Sequence, residues 1–329
     1  MQPSREFTFA IAPMMDWSDR HYRSFMRLLT KRTLLYTEMV TAAAVVYGDR
    51  SRLLSYGAIE HPLALQLGGA DPAQLAEAAR IGEDFGYGEI NLNVGCPSDR
   101  VQSGSFGAAL MLQPELVADC IAAMQSAVTV PVTVKCRIGV DEQNAAQNLP
   151  EFIETVAGAG CETFVIHARK AWLQGLSPKQ NREIPPLDYG LVHQIKQQFP
   201  TLRILLNGGL VSLAQAMAET KGLDGAMIGR AAYHDPWIMV DTDQLVFGES
   251  GPSPSRVQVV QGLIEYVDFE RANGTKLHAI TRHVLGLFAG QPGARHWRRT
   301  LSEKGVKPGA GSEVIVEAAA SVLPELSAA

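Results

Sequence analysis

Residues 89–101 read EINLNVGCPSDRV, a strand-like run that reaches an amide at Asn93 and continues into a loop carrying Cys96. Gly95 and Pro97 flank the thiol and break regular structure, so the side chain is displayed on a loop rather than packed. The other three cysteines, at positions 120, 136 and 161, lie in or beside apolar helical or strand patterns. Free cysteine usually behaves as a small buried hydrophobe. We therefore predict that Cys96 alone is a reactive group.

The same pattern, a short β-rich run followed by a helical one, recurs on both sides of this stretch. Eight strands are predicted at residues 8–14, 34–40, 63–68, 89–94, 132–138, 163–168, 203–208 and 225–230. Helices are predicted between most of them, at residues 72–85, 114–127, 149–158, 189–199 and 213–220. Such alternation is typical of parallel strands with crossover helices. No GxGxxG follows the first strand, so we predict an α/β (β/α)8 TIM barrel rather than an open doubly wound sheet.

The character of the chain changes after residue 241. A turn-rich stretch, FGESGPSPSR at 247–256, reads as a linker, and only helical patterns follow it. We predict two domains, a barrel at 1–248 and a small all-helical domain at 249–329.

Composition excludes several classes of protein. The 329 residues are 46% hydrophobic and 19% charged, an ordinary globular balance. No apolar stretch approaches the ~18 residues of a membrane span, and the N-terminus lacks the pattern of an export signal. The cysteine spacing gives neither a CxxC pair nor a disulfide framework. We expect a monomer in the reducing cytoplasm, with neither a membrane nor a metal partner.

In a (β/α)8 barrel the active site lies at the C-terminal ends of the strands. Polar groups fall at nearly every predicted strand end. Lys135 and Arg137 share one side of their strand, because side chains alternate with a period of two. Burying an ammonium is costly without a partner, so Lys135 is predicted to be functional. The candidate residues at these ends are Pro13, Met14, Met15, Gln66, Asn93, Lys135, Arg137, His167, Arg169, Asn207, Gly208, Gly209, Gly229 and Arg230.

The last two strand ends resemble a phosphate site. Barrels often hold phosphate with the loops after strands seven and eight, which here read NGG (207–209) and GR (229–230). Glycines let backbone N–H groups approach an anion, and Arg230 can add a bidentate contact. We predict a phosphorylated cofactor or substrate.

These pieces together specify a flavin site. The phosphate end would hold the tail of FMN, while Gln66, Lys135 and His167 would surround the ring. A cation near the ring edge would stabilise negative charge that develops there. Cys96 could then deliver a proton to a substrate stacked on the flavin, because an ordinary thiol is mostly protonated at neutral pH.

The charge distribution points to a polyanionic substrate. Net charge is −5, yet the segment from 271 to 307 carries +7. Arg295, Arg298 and Arg299 have i, i+3, i+4 spacing and share a helical face. A second basic loop, with Arg169, Lys170, Lys179 and Arg182, follows the predicted strand at 163–168. Two basic elements beside one active-site mouth indicate RNA, with one base taken out of its stack.

The chain resembles the tRNA-dihydrouridine synthases through APMMDWSDRHYR, LQLGG, NLNVGCPSDRVQSG, VKCRIG, IHARKAWLQGLSPKQNREIPPLDY, HAITRHVLGLF and GARHWRRTLS. The segments ARKAWLQGLSPKQNREIPPLDY and GARHWRR resemble the A subfamily, which acts at positions 20 and 20a. The resemblance implies FMN-dependent reduction of uridine in the D-loop of tRNA, with NADPH as reductant. It implies hydride transfer to uracil C6 and Cys96 as proton donor to C5.

The same resemblance assigns the remaining roles. FMN contacts are implied for Pro13 to Met15, Gln66, Lys135, His167, Asn207 to Gly209, Gly229 and Arg230. Contacts with tRNA are implied for Asn93, Lys179, Arg182, Arg295, Arg298 and Arg299, and we add Arg137 and Arg169 as candidates.

Three other functions remain open on the sequence. A flavin barrel that reduces a small pyrimidine or enone would explain Cys96 and the phosphate loops, but not the basic C-terminal region. A Schiff-base aldolase acting through Lys135 would have no use for flavin. An RNA-binding or chaperone-like protein with a vestigial barrel would leave the thiol, lysine and histidine at the strand ends without a purpose.

Overall fold

The computed structural model describes residues 6–98 and 106–323. Its strands are β1 (Thr8–Ile11), β2 (Leu34–Tyr36), β3 (Val40–Thr41), β4 (Leu63–Gly68), β5 (Glu89–Val94), β6 (Val132–Arg137), β7 (Thr163–His167), β8 (Arg203–Asn207) and β9 (Gly225–Ile228). All pairings are parallel, in the order β2-β1-β9-β8-β7-β6-β5-β4-β3. An additional pairing of β2 with β4 closes eight of these strands into a barrel, as predicted.

The described helices are α1 (Arg20–Arg27), α2 (Ala42–Tyr47), α3 (Arg50–Leu54), α4 (Pro72–Asp84), α5 (Pro114–Ala127), α6 (Ala145–Gly158), α7 (Tyr189–Gln198), α8 (Leu213–Glu219), α9 (Arg230–His234), α10 (Thr242–Leu245), α11 (Arg256–Ala272), α12 (Leu277–Thr281), α13 (Ala294–Lys304) and α14 (Glu313–Ala319). Short 3₁₀ turns lie at Ala58–Glu60, Gly107–Leu112, Gln180–Arg182 and Pro236–Met239. No helix in the described ranges is both long and apolar enough to cross a membrane.

Several predicted bounds differ from the structure. The strand predicted at 8–14 ends at Ile11, and the strand predicted at 225–230 ends at Ile228, where a helix soon follows. Two further differences have local reasons. The strand predicted at 34–40 is split into β2 and β3, because the hydroxyl of Thr37 takes over a ladder position. Its Oγ1 accepts from the backbone N–H of Gln66 at 3.0 Å and donates to the carbonyl of Glu38 at 2.7 Å. Helix α6 begins four residues earlier than predicted, where Asn144 caps it by accepting from the N–H of Ala146.

The strands divide their side chains between two environments. Alternate residues point outward into one large apolar core shared with the helices, which includes Cys120, Cys136 and Cys161. A smaller apolar cluster, with Ala10, Tyr36, Ala64, Val165, Leu205 and Met227, belongs to the inward-facing set. This inward set continues toward the C-terminal ends of the strands as polar side chains, which places the chemistry there.

Helices alone follow β9 in the described chain up to residue 323, and α11 to α14 pack into the same apolar core as the barrel helices. Trp297 of α13 is fully buried against Phe288, and its indole N–H donates to the carbonyl of Val284 at 3.1 Å. Asp19 caps α1 and also pairs with Arg282 at 2.6 Å, which ties the barrel to the C-terminal helices. The division into 1–248 and 249–329 stays a prediction.

Candidate active site

A cavity of about 660 Å³ opens at the C-terminal ends of the barrel strands. Fifteen of the twenty predicted site residues line it, and they lie on seven different strands or on the loops that follow them. They are Pro13, Met14, Met15, Gln66, Asn93, Cys96, Lys135, Arg137, His167, Arg182, Asn207, Gly208, Gly209, Gly229 and Arg230. Parallel strands bring residues more than 200 positions apart in sequence to one rim, so the barrel assembles this cavity.

A ladder of polar side chains rises through the barrel to the cavity. Glu89, at the bottom, accepts hydrogen bonds from Tyr36 at 2.6 Å and Thr133 at 2.7 Å. Thr133 accepts from Asn91, whose Oδ1 accepts from Gln66. The side-chain nitrogen and oxygen of Gln66 and of Asn91 each have a hydrogen-bond partner in this ladder, which lets these amides lie inside the barrel.

The top of this ladder positions the reactive loop. Asn93 donates to Oε1 of Gln66 at 2.8 Å, which fixes the orientation of its amide. Its Oδ1 then accepts from the backbone N–H of Gly95 at 3.1 Å and of Cys96 at 3.0 Å. Asn93 therefore holds the loop that presents the thiol. Cys96 is partly accessible in the cavity, whereas the other three cysteines are buried, as predicted.

Arg137 braces the same loop from β6. Its Nε donates to the carbonyl of Gly95 at 3.0 Å, and one terminal nitrogen donates to the carbonyls of Lys170 and Asn181. Burial lowers the pKa of this guanidinium to about 10, which still leaves it charged at neutral pH. Arg137 thus joins the Cys96 loop to the basic loop after β7.

Lys135 and His167 place one cation and one neutral ring in the cavity wall. Burial, with the nearby charge of Arg137, lowers the pKa of Lys135 to about 8. Lys135 donates to Oδ1 of Asn207 at 3.1 Å, and Asn207 donates to the carbonyl of Met227 at 2.8 Å. Burial and the surrounding cations hold the pKa of His167 well below its usual range, so its imidazole is neutral at pH 7.

The loops after β8 and β9 form a close backbone cradle. Gly208 and Gly209 adopt φ of +108° and +71°, a region that favours glycine. A Cβ on Gly208 would lie 2.5 Å from Cδ2 of His167, so only glycine fits there. Arg230, at the start of α9, pairs with Glu183 at 2.7 Å and donates to the carbonyl of Arg182 at 3.2 Å. Gly208, Gly209, Gly229 and Arg230 therefore line one cavity, and their binding of a phosphate stays a prediction.

The basic residues outside the cavity occupy two places. Arg169 and Lys179 lie on the loop after β7; Lys179 is exposed, and Arg169 donates to the carbonyl of Pro185. Arg295, Arg298 and Arg299 are exposed on one face of α13, opposite the buried Trp297, and no ion pair joins them to the described residues. Of the twenty predicted residues, these five lie outside the cavity lining.

Several lining residues were not predicted from the sequence. Met39 follows a strand whose end was misplaced, and Trp17 and His234 lie a few residues beyond the strand ends that were examined. The interior polar side chains of Glu89 and Asn91 could have been found, because in EINLNV they alternate with apolar residues and share the spacing of Asn93, which was predicted.

The fold defines a (β/α)8 barrel with a polar cavity at the C-terminal ends of its strands, where enzymes of this fold carry their active site. The chain belongs to the dihydrouridine synthase family, whose model matches residues 10–322. It is 54% identical over 321 residues to the tRNA-dihydrouridine(20/20a) synthase of Shewanella oneidensis, covering 98% of this chain and 96% of that protein.

Other comparisons agree. The tRNA-dihydrouridine(20/20a) synthase of Escherichia coli K12 is 56% identical over 311 residues, covering 94% of this chain and 90% of that protein. The corresponding protein of Vibrio cholerae is 55% identical over 314 residues, 95% of this chain and 96% of that protein. A solved complex of 2-naphthoyl-CoA reductase has a TM-score of 0.55 at 11% identity, covering 72% of this chain and 50% of that one. That likeness shows the fold alone.

Proposed function

We propose that this enzyme reduces the C5=C6 bond of uridine to 5,6-dihydrouridine in the D-loop of tRNA, at positions 20 and 20a, with FMN as cofactor and NADPH as reductant. The family and the names of its full-length relatives support the reaction. The observation that carries the proposal is one cavity in which Cys96, Lys135 and the glycine cradle face a common space.

The residues present fit FMN. At one end, Gly208, Gly209 and Gly229 line the cavity together with Arg230, whose guanidinium is a cation for a bound anion. Toward the barrel axis, the polar side chains of Gln66, Lys135, His167 and Asn207 offer donors, a cation and acceptors for a ring with several polar edges. Pro13, Met14 and Met15 add an apolar wall. These residues would hold the cofactor.

Each residue has a part in the reaction. Bound FMN would supply the chemistry of hydride transfer to C6 of uracil, with NADPH as its reductant. Cys96 gives its proton to C5, so the two hydrogens of the product are accounted for. Asn93 holds the thiol loop in place, and Lys135 provides positive charge within the cavity. His167 stays neutral and serves as a hydrogen-bonding group rather than an acid.

The basic surfaces would grip the nucleic acid while one uridine enters the cavity. Lys179 and Arg182 lie on the loop at the mouth, and Arg295, Arg298 and Arg299 extend the positive surface onto α13. In this proposal residues 1–248 form the FMN-binding catalytic barrel and 249–329 contact the tRNA. Arg137 and Arg169, which are committed largely to backbone carbonyls, would shape the RNA-facing loop. We further propose a monomeric enzyme of the cytoplasm, a location that its tRNA substrate and its free cysteines support.

Digestion and mass spectrometry of unmodified tRNA test the proposal. The purified protein, FMN and NADPH are incubated with the tRNA, and each D-loop uridine is examined for a gain of two hydrogens. A gain at position 20 or 20a is the expected result. Oxidation of NADPH without any gain in tRNA would favour a small-molecule reductase instead.

A further inference from the structure

The mouth of the cavity carries an aromatic cluster that the proposed reaction does not use. Trp17, just after β1, lines the cavity and is partly exposed. Its ring stacks on Tyr233 with centroids 4.2 Å apart and planes 9° from parallel. His234, which is exposed and also lines the cavity, meets Trp17 edge-on at 5.1 Å. These three side chains are called the aromatic rim below.

The aromatic rim is held firmly on both sides. The turn before it is closed by hydrogen bonds from the N–H of Trp17 to the carbonyl of Met14 at 3.1 Å and from the N–H of Met14 to Ser18 Oγ at 2.8 Å. On the other side, the hydroxyl of Tyr233 lies 3.2 Å from Nδ1 of His283. Trp17 is therefore fixed in place before any ligand arrives, which reduces the entropy lost on binding.

The position of the aromatic rim matters as much as its rigidity. It lies between the cavity, where Trp17 and His234 form part of the wall, and the C-terminal helices, which Tyr233 contacts through His283. Met15, 54% exposed, adds an apolar side chain to the cavity wall close by in sequence. A strand of RNA that spans from the basic C-terminal surface to the cavity would pass over this region.

A uridine that enters the cavity leaves its neighbours in the RNA without a stacking partner on one face. Aromatic side chains commonly replace that partner, because every base has a π-face. We propose that Trp17, backed by Tyr233, stacks on the base of a nucleotide flanking the reduced uridine. This inference rests on the proposed function and adds a base-stacking subsite to it.

The test combines a protein variant with an RNA variant. Trp17→Leu keeps an apolar side chain but removes the aromatic face, and the RNA substrates carry an abasic nucleotide on the 5′ or 3′ side of the target uridine. Loss of one stacked base is expected to lower kcat/KM for RNA by about tenfold. Trp237→Leu is the matched control, because Trp237 packs under Arg256 and does not line the cavity.

The inference is tested by whether the effect of Trp17→Leu depends on the presence of the flanking base. If Trp17 stacks on the flanking base, Trp17→Leu costs about tenfold on intact RNA and nearly nothing on one abasic RNA. Equal losses on intact RNA and on both abasic RNAs would overturn the inference. Damage to the flavin site would lower the rate on intact and on abasic RNA by the same factor, so the ratio of the two rates separates a lost subsite from such damage. Wild-type enzyme that reduces no RNA would instead refute the proposed function.

Discussion

The ammonium of Lys135 donates a hydrogen bond to Oδ1 of Asn207, 3.1 Å away across the barrel, and that amide is itself fixed by the carbonyl of Met227. The two residues come from β6 and β8, with β7 between them. A neutral amide compensates a buried positive charge only in part, so the ammonium can still attract a negatively charged or polar group of a ligand. The cavity therefore holds a cation that is poorly compensated by the protein alone.

Replacing Lys135 by an uncharged residue should stabilise the folded protein and weaken its function. We expect Lys135→Met to raise the free energy of unfolding of the cofactor-free protein by up to about 3 kcal/mol at pH 7, because the folded state no longer bears a buried charge. Flavin binding and uridine reduction should fall. Chemical denaturation and flavin titration measure the two effects, and Lys221→Met, at an exposed position, is the control.

The same stability difference should depend on pH with a defined sign. Because the pKa of Lys135 is lowered to about 8 in the folded protein, the unfolded chain binds more protons between pH 8 and about 10.5. The stability of the wild type therefore rises with pH relative to that of Lys135→Met across that window. The difference between the two free energies of unfolding is largest below pH 8. A gap that does not change between pH 7 and 10.5 would contradict the assigned cause.

Cys96 is expected to act in the reaction and not in binding. Cys96→Ala should retain FMN and tRNA but lose most uridine reduction, because the proton for C5 would have no donor. Single-turnover assays with pre-reduced enzyme isolate this step. Cys120→Ala, a change at a buried thiol of α5, should leave the turnover unchanged. Undiminished turnover of Cys96→Ala would refute the acid role.

Gly208 should be intolerant of any side chain. In Gly208→Ala the added Cβ would meet His167 at 2.5 Å, so the imidazole would have to move and FMN should bind at least about tenfold more weakly. Gly222→Ala separates the causes: Gly222 has a similar φ of +88° but nothing within 4 Å of its would-be Cβ. It should show the backbone strain of about 1–2 kcal/mol without a change in flavin affinity.

The arginines of α13 should act through charge. Replacing Arg295, Arg298 and Arg299 together by glutamine is expected to weaken tRNA binding and to flatten its dependence on salt by about two units of slope. Reduction of the flavin by NADPH should not change. The control is a variant in which three other exposed basic residues, Lys31, Arg80 and Lys221, are replaced by glutamine. Unchanged tRNA affinity would show that α13 presents only a solvated face.

Much of the fold could be predicted from local pattern. The order and approximate positions of the strands followed from short β-rich runs such as VTVKCRI, whose period of two placed Lys135 and Arg137 on the inner side of β6. The split between β2 and β3 could not be predicted, because the hydroxyl of Thr37 substitutes for the backbone only when β4 lies beside it. The sequence of one strand does not indicate that a side-chain hydroxyl will take the place of a backbone hydrogen-bonding group.

Pattern and spacing alone thus determined which residues stand at strand ends, that Cys96 is displayed on a loop, and that Arg295, Arg298 and Arg299 share an exposed face. Tertiary structure decided how those residues are used. Arg137 donates hydrogen bonds to three backbone carbonyls, and Asn93 accepts from the backbone of the Cys96 loop. Trp17 stacks on Tyr233, which lies at the opposite end of the barrel sequence. These are contacts between distant segments, and their partners are set by barrel closure rather than by neighbouring residues.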